Sequence, residues 1–183
     1  FHPGMLFKSP RKWWGDGGQR DFPHEGIDFC LYQDSSGNLK RLGPETRIPV
    51  LHDGVVRRVF ADYLGQTLLV EHEPSPSEAG KRISFYAHIR PLNGVKPGVR
   101  LKQGDPLATI ADTRRSKAKI LPHLHYSLGA ASAGLVYDGF VWNHMRNPDW
   151  VKLLDPLPLL DWRHRIVDQR VSDLGEIFHV TRQ

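Results

Sequence analysis

The sequence predicts an all-β domain built from antiparallel strands. Helical periodicity is scarce, while short runs rich in β-branched and aromatic residues recur along the chain. These runs sit roughly ten residues apart, with Gly, Pro, Asp and Asn between them, which is the spacing of an antiparallel meander. Two of the breaks, "HDG" at 52–54 and "LNG" at 92–94, are hairpin-type turn signals, because Asn and Gly tolerate positive φ.

The expected elements follow in order. "GIDFCLYQ" (26–33) reads as a strand that ends at the turn "DSSGN". "IPVL" (48–51) leads through "HDG" into "VVRRVF" (55–60). Then come "QTLLVEH" (66–72), "ISFYAHI" (83–89), "VRLKQGDPLATIA" (99–111) and "LHYSLGA" (124–130). "EPSPSEAGK" (73–81) and "ADTRRSKAKILP" (111–122) read as surface loops, the second carrying four cations and no glycine. "NPDWVKLL" (147–154) predicts a short helix, with Pro148 near its first turn and Asn147 as its cap. "DPLPLL" breaks it. The pattern divides the chain into a domain over 1–160 and a charged C-terminal extension over 161–183, packed on the domain or facing a partner.

With 183 residues, 39% hydrophobic and 25% charged, the chain has enough apolar mass for one core. No apolar run approaches the roughly 20 residues of a membrane-spanning helix. The opening "FHPGMLFKSP" lacks both a signal-peptide pattern and an initiator Met, so a processed or trimmed chain is expected. The formal charge of +5 and pI of about 9.5 fit either an anionic partner or a solvated basic surface. An RNA-binding aromatic motif, a helix-turn-helix pattern and a zinc-finger cysteine set are all missing, so nucleic acid is not the expected partner. Cys30 is the only cysteine. An internal disulfide is therefore excluded, any zinc site must use His and carboxylates, and Cys30 after Phe29 reads as a small core residue.

Three short stretches carry the chemistry. In "PHLHYSL", His123 and His125 share one face of a strand, roughly 6.6 Å apart, so both can ligate a metal or one can ligate while the other faces a substrate. In "PHEGIDF", His24 and Asp28 would lie roughly 13 Å apart on a straight strand, too far to share a metal. Gly26 between them is where the chain can bend. In "FYAHI", His88 sits among apolar aromatic residues and needs a polar partner, whether as a core histidine or as a functional one.

Taken together, "H-x-G-x-D", a strand ending "Y-x-H" and then "H-L-H-Y" resemble the lysostaphin-type zinc endopeptidases, also called the LytM-like peptidases. "IPVLHDGVV", "GQTLLVEH" and "VKPGVRLKQGDPLATI" are similar to further strands of that family, so the resemblance covers roughly residues 10 to 160. It implies antiparallel sheets forming a groove, of the duplicated hybrid or barrel-sandwich type, with a short helix and a C-terminal extension. It implies zinc as cofactor, held by His24, Asp28 and His125, with His88 and His123 as the unligated catalytic pair. Three protein ligands leave the fourth zinc position for water, whereas a fourth from His123 would close the site. His123 is then the general base and acid, and His88 donates to the developing oxyanion.

The implied function is hydrolysis of peptide cross-links in bacterial peptidoglycan by an exported monomer in the periplasm, cell envelope or medium, its signal absent from this chain. The partner is a stem or bridge peptide of the wall, with no nucleic acid and no transmembrane segment. Two other readings stay open: a catalytically inactive LytM-like regulator that binds a cell-wall enzyme, and a zinc carboxypeptidase trimming wall peptides from a free end. The chain departs from the family where a Gly- and Ser-rich segment is normally found, before "HLH". There Arg114, Arg115, Lys117 and Lys119 are expected either to rim the cleft and meet substrate carboxylates or to be solvated. Trp13, Trp14 and Arg20, in "WWGDGGQR", correspond to a groove wall, or one Trp packs in the core. The remaining histidines, His2, His52, His72, His144, His164 and His179, read as surface or packing residues.

Overall fold

A computed structural model describes residues 1–73, 80–114, 116, 120–160 and 163–167. Eleven strands are present among them: β1 (Ile27–Phe29), β2 (Leu31–Gln33), β3 (Leu39–Arg41), β4 (Arg47–Pro49), β5 (Gly54–Ala61), β6 (Gln66–His72), β7 (Lys81–Pro91), β8 (Arg100–Leu101), β9 (Pro106–Ile110), β10 (Leu124–Ala131) and β11 (Val151–Leu154). One short helix, α1 (Trp142–Met145), lies between β10 and β11. Every strand pairing is antiparallel, as expected from the periodicity.

The main sheet runs β1-β10-β7-β6-β5-β8, with β11 also on β10 and β9 linking β7 to β4. Its central strands bury both faces, which explains why "QTLLV" and "ISFYA" read as continuous apolar runs rather than alternating ones. On one face Leu68, Val70, Tyr86, Tyr126 and Leu128 enter the larger core. On the other, Leu69, Ile83 and Phe85 pack against Phe140 and Met145. Helix α1 is thereby fixed over the second face, and Trp142 is carried to the edge of the groove described below.

Several local expectations are corrected. The strand expected over 26–33 is two strands in different sheets, separated at Cys30, whose carbonyl accepts from Leu42 and whose thiol is buried. Burial pushes that thiol up to about 12, as befits a core residue and not a nucleophile. "DSSGN" does close a hairpin, β2 with β3, through Asp34 Oδ1 accepting from the Ser36 and Asn38 amides. "HDG" and "LNG" do not: β4 pairs with β9, β5 pairs with β6 and β8, and β7 does not pair with β8. Both are turns between strands that find partners elsewhere.

The helix expected over 147–154 is also not there. Asn147 Oδ1 does accept from the Asp149 amide, but only one turn forms. Val151–Leu154 then becomes β11, because the edge of β10 beyond β1 is open and Val151 can be buried against the second core. Sheet pairing overrides a helical pattern this short. Most of the loop over 73–81 and of the extension over 161–183 lies outside the described residues. Within the extension, Val167 donates its amide to the Phe1 carbonyl, and the Phe1 amine meets the Arg165 carbonyl at 2.6 Å.

Gly26 bridges His24 and β1, but not through an unusual φ. A Cβ here would lie 2.2 Å from the Tyr126 carbonyl oxygen and 2.6 Å from Ser127 Oγ. The glycine permits close approach of the chain to β10. Gly26→Ala is therefore expected to cost at least about 3 kcal/mol of stability, read by chemical denaturation. A loss under about 1 kcal/mol would mean that β1 can move off β10 freely, contrary to the packing seen.

Candidate metal centre and its groove

Strand β10 organises the site from both of its edges. Asp28 on β1 is directly opposite His125, and Ala87 on β7 is opposite it on the other side. Directly opposed side chains share a face, so Asp28 Oδ1 and His125 Nδ1 come to 2.9 Å. His24 arrives on the segment before β1, which is tied down by its amide on the Ser9 carbonyl and its carbonyl on the Lys8 amide. Its Nε2 lies 3.1 Å from Asp28 Oδ1 and 3.0 Å from His125 Nδ1. All three residues are buried, and their candidate ligand atoms lie within 4.8 Å of one another.

The surrounding hydrogen bonds orient these three atoms inward. His24 Nδ1–H donates to the Leu6 carbonyl at 3.0 Å, so in the neutral ring Nε2 carries the lone pair. Ser127 Oγ, 2.7 Å from His125 Nε2, can accept from that nitrogen, the arrangement that frees the Nδ1 lone pair for a metal. Asp28 Oδ2 takes the Trp13 indole N–H at 2.6 Å and has the Arg20 guanidinium 3.6 Å away, so Oδ1 is the free oxygen. Burial raises the pKa of Asp28, but the protonated forms of its neighbours His24, His123 and His125 outweigh burial and hold the carboxyl well below the usual range, so it is ionised before either ligand ring loses its proton. With both rings aimed this way, three buried lone pairs face one another and repel unless a proton or a metal cation lies between them. Two imidazoles and a carboxylate fit zinc, and the residues present suit that ion.

His123 stands apart from the trio. It precedes β10, donates Nδ1–H to the Leu121 carbonyl at 2.8 Å, and keeps Nε2 3.9 Å from Asp28 Oδ1. Its ring meets Trp13 edge-on at 5.1 Å and His88 at 4.9 Å. Burial pulls its pKa down to about 3 against the attraction of Asp28, so the ring is neutral at neutral pH with its lone pair on Nε2.

His88 sits where one edge of β7 changes partner, from β10 up to Ala87 to β9 from Ile89. Its backbone is in the left-handed region at φ 62°, uncommon for a residue with a side chain. Its ring stacks on Trp142, with centroids 5.9 Å apart and planes 14° apart. Nδ1–H donates to Asp62 Oδ1 at 3.0 Å, which leaves Nε2 facing the groove side.

These groups line a groove of about 700 Å³ whose walls include Trp14, Leu64, Tyr63 and Trp142, with Arg20 and Arg146 at its margin. Arg20 lies over the Trp14 ring at 4.4 Å, and Arg146 is paired with Glu25 at 2.5 Å. Trp13 is in the core and Trp14 on the wall, so the two readings of "WW" each apply to one residue. Of the two readings of the basic loop, the solvated one fits Arg114. That side chain folds back on Asp112 with two hydrogen bonds, at 2.8 and 2.6 Å, and lines a separate depression with Glu45 and Arg90. Arg115, Lys117 and Lys119 lie outside the described residues.

Sequence reasoning did not single out Asp62, Ser127 or Trp142. Asp62 in "ADYLGQT" signals a turn, and it does accept the Leu64 and Gly65 amides; nothing in that pattern points 26 residues ahead to His88. Of the histidines read as surface or packing residues, His72 is buried between the Asp53 carbonyl and Ser84 Oγ, and His144 packs on Trp150.

No curated protein sequence matches the chain significantly. Among solved structures, the solution structure of lysostaphin is similar, with 21% identity and a TM-score of 0.49, over 84% of this chain and 47% of that one. The chain thus spans about half the length of lysostaphin. A mutant catalytic domain of the prophage-encoded M23 protein EnpA from Enterococcus faecalis is 22% identical, with a TM-score of 0.40, over 66% of this chain and 78% of that one. Residues 23–135 match the family model described as Peptidase family M23. That stretch is more than half of the chain and contains His24, Asp28, His88, His123 and His125, and it makes the chain a member of peptidase family M23, the lysostaphin-type, LytM-like peptidases.

Proposed function

We propose that this chain is a zinc-dependent metalloendopeptidase that hydrolyses the stem or bridge peptides cross-linking bacterial peptidoglycan. Residues 1–160 would form the peptidase unit, acting as a monomer outside the cytoplasm, with 161–183 as an appendage. The observation that carries the reading is the convergence of three buried ligand atoms, from His24, Asp28 and His125, with the neutral His123 kept outside them. A fourth ligand would close the coordination sphere; a trio leaves room for substrate chemistry.

In this reading His24 Nε2, Asp28 Oδ1 and His125 Nδ1 hold the zinc. When bound, zinc supplies Lewis acidity toward a peptide carbonyl and lowers the pKa of water toward 7. The chain's own groups do the rest. His123, with Nδ1–H fixed on the Leu121 carbonyl, takes a proton at Nε2 and returns it to the leaving amine. His88, with Nδ1–H fixed on Asp62, uses Nε2 in its protonated form to donate a hydrogen bond to the oxygen that gains charge. Trp13 and Trp142 shield the histidines from bulk water, which strengthens each of these electrostatic contacts. No Glu general base is needed: Glu25, the carboxylate beside His24, is occupied by Arg146.

Digestion of purified wall material, with mass spectrometry of the new amine termini, tests the activity. Cleavage at internal peptide bonds supports an endopeptidase; release of single C-terminal residues alone would indicate a carboxypeptidase. Wall binding without cleavage would indicate the regulator.

The metal assignment has its own test. Asp28→Ala and His125→Ala are expected to purify with little zinc, and full retention by either would remove that residue from the site. His123→Ala and His88→Ala are expected to keep zinc and lose turnover; zinc loss in His123→Ala would support a closed, four-ligand site.

Trp13→Phe removes the indole N–H on Asp28 Oδ2 and keeps an aromatic, though smaller, ring in the core. Loss of such an outer partner is expected to weaken zinc binding about 10- to 100-fold, measured by competition with a chromogenic chelator. Unchanged affinity would mean that Trp13 packs without orienting Asp28.

A further inference from the structure

Strand alternation predicts the wrong face for His88. Tyr126 is opposite Tyr86, and their rings meet at 5.1 Å within the larger core. His125 is opposite Ala87, so Ala87 faces the groove. By the two-residue period His88 should return to the core with Tyr86. Its ring lies instead against His123, His125 and Trp142, and Ile89 takes the next core place.

The register explains the reversal. On β6, Gln66 is opposite Ile89 and Leu68 is opposite Tyr86, so Thr67 alone faces two residues, Ala87 and His88. This is a bulge in β7, and such an insertion re-aims a side chain. A left-handed backbone is unfavourable for a residue with a side chain, so something must hold it.

The Asp62 carboxylate does so at two points. Oδ2 accepts the His88 backbone amide at 2.9 Å, and Oδ1 accepts the His88 ring N–H at 3.0 Å. The carboxylate is itself anchored by the amides of Leu64 and Gly65, both 2.8 Å from Oδ1, and by Thr67 Oγ1, 2.8 Å from Oδ2. Its side chain is 2% exposed. Burial raises its pKa, but the hydrogen bonds and charge of His88 prevail and keep it ionised. The β5–β6 turn and the β7 bulge are therefore locked together through one side chain.

We infer that Asp62 is the positioning residue of His88: it holds the β7 bulge and points the ring's Nε2 into the groove. The inference rests on the proposed peptidase reading for its effect on turnover, but its geometric part is independent of that reading.

Zinc-loaded parent protein and Asp62→Asn are compared in three ways: zinc content, kcat and KM on a cross-linked wall peptide, and the His88 ring N–H signal by nitrogen-edited NMR. The expected result is unchanged zinc, KM within about threefold, a fall in kcat of about 100-fold, and a shifted or exchange-broadened His88 ring signal. Unchanged kcat with zinc bound overturns the inference, as does zinc loss, which would make Asp62 a support of the metal site. If Asp62→Asn does not fold, Thr67→Val, which removes one of the carboxylate's anchors, is expected to lower kcat several-fold and move the same signal. Unchanged kcat and signal in that variant overturn the inference. Should the parent leave wall peptides uncut, the proposed function fails alone and the NMR comparison decides the geometry. A His88 signal identical in parent and Asp62→Asn overturns the positioning role, and a displaced one upholds it.

Discussion

The register of β1 on β10 is the constraint on which the rest of the site depends. Because Asp28 is opposite His125, two potential ligands 97 residues apart in sequence share one face without any long side chain having to reach. That register holds only because Gly26 lets the chain pass against the Tyr126 carbonyl, which also brings His24 onto the same face. A one-residue slip would turn Asp28 away from the groove and leave its charge buried without partners.

Around this pair the fold arranges outer contacts that specify protonation. Carbonyls at Leu6 and Leu121 each take one ring N–H, from His24 and His123, and so decide which nitrogen of each ring keeps its lone pair. The same chemistry yields different outcomes by position: His24 aims its lone pair into the trio, and His123 aims its own past the trio's edge. His88 is treated differently again, with a carboxylate in place of a carbonyl. That partner fixes the ring through Nδ1, as the carbonyls do for His24 and His123, and ties it to the β5–β6 turn.

The two cores explain the rigidity of this arrangement. β7 and β10 are buried on both faces, so histidines at their ends rest on strands that cannot shift without opening two packed layers. Helix α1 adds Trp142 from the second layer, stacked on His88 and tilted against His125. The groove is thus assembled from rigid elements, with the turn bearing Asp62 and Tyr63 and the segment bearing Trp14 and Arg20 forming its sides.

The sequence by itself determined the antiparallel all-β class, most of the strands, and the five polar residues that the fold gathers. Strand signals are local, since apolar runs and turn residues act over a few positions, and "QTLLVEH" and "LHYSLGA" sit almost where they were read. What only the tertiary structure decided is pairing and aim. "HDG" and "LNG" are turn signals, yet their flanking strands pair elsewhere, because the sheet offers better edges. "NPDWVKLL" became a strand because β10 had an open edge. Asp62, Ser127 and Trp142 were silent in the sequence because their roles exist only across contacts from other strands. His88 is the clearest case: its identity was legible, but its face was set by one extra residue in β7 and by a carboxylate 26 positions away, neither of which a two-residue periodicity can report.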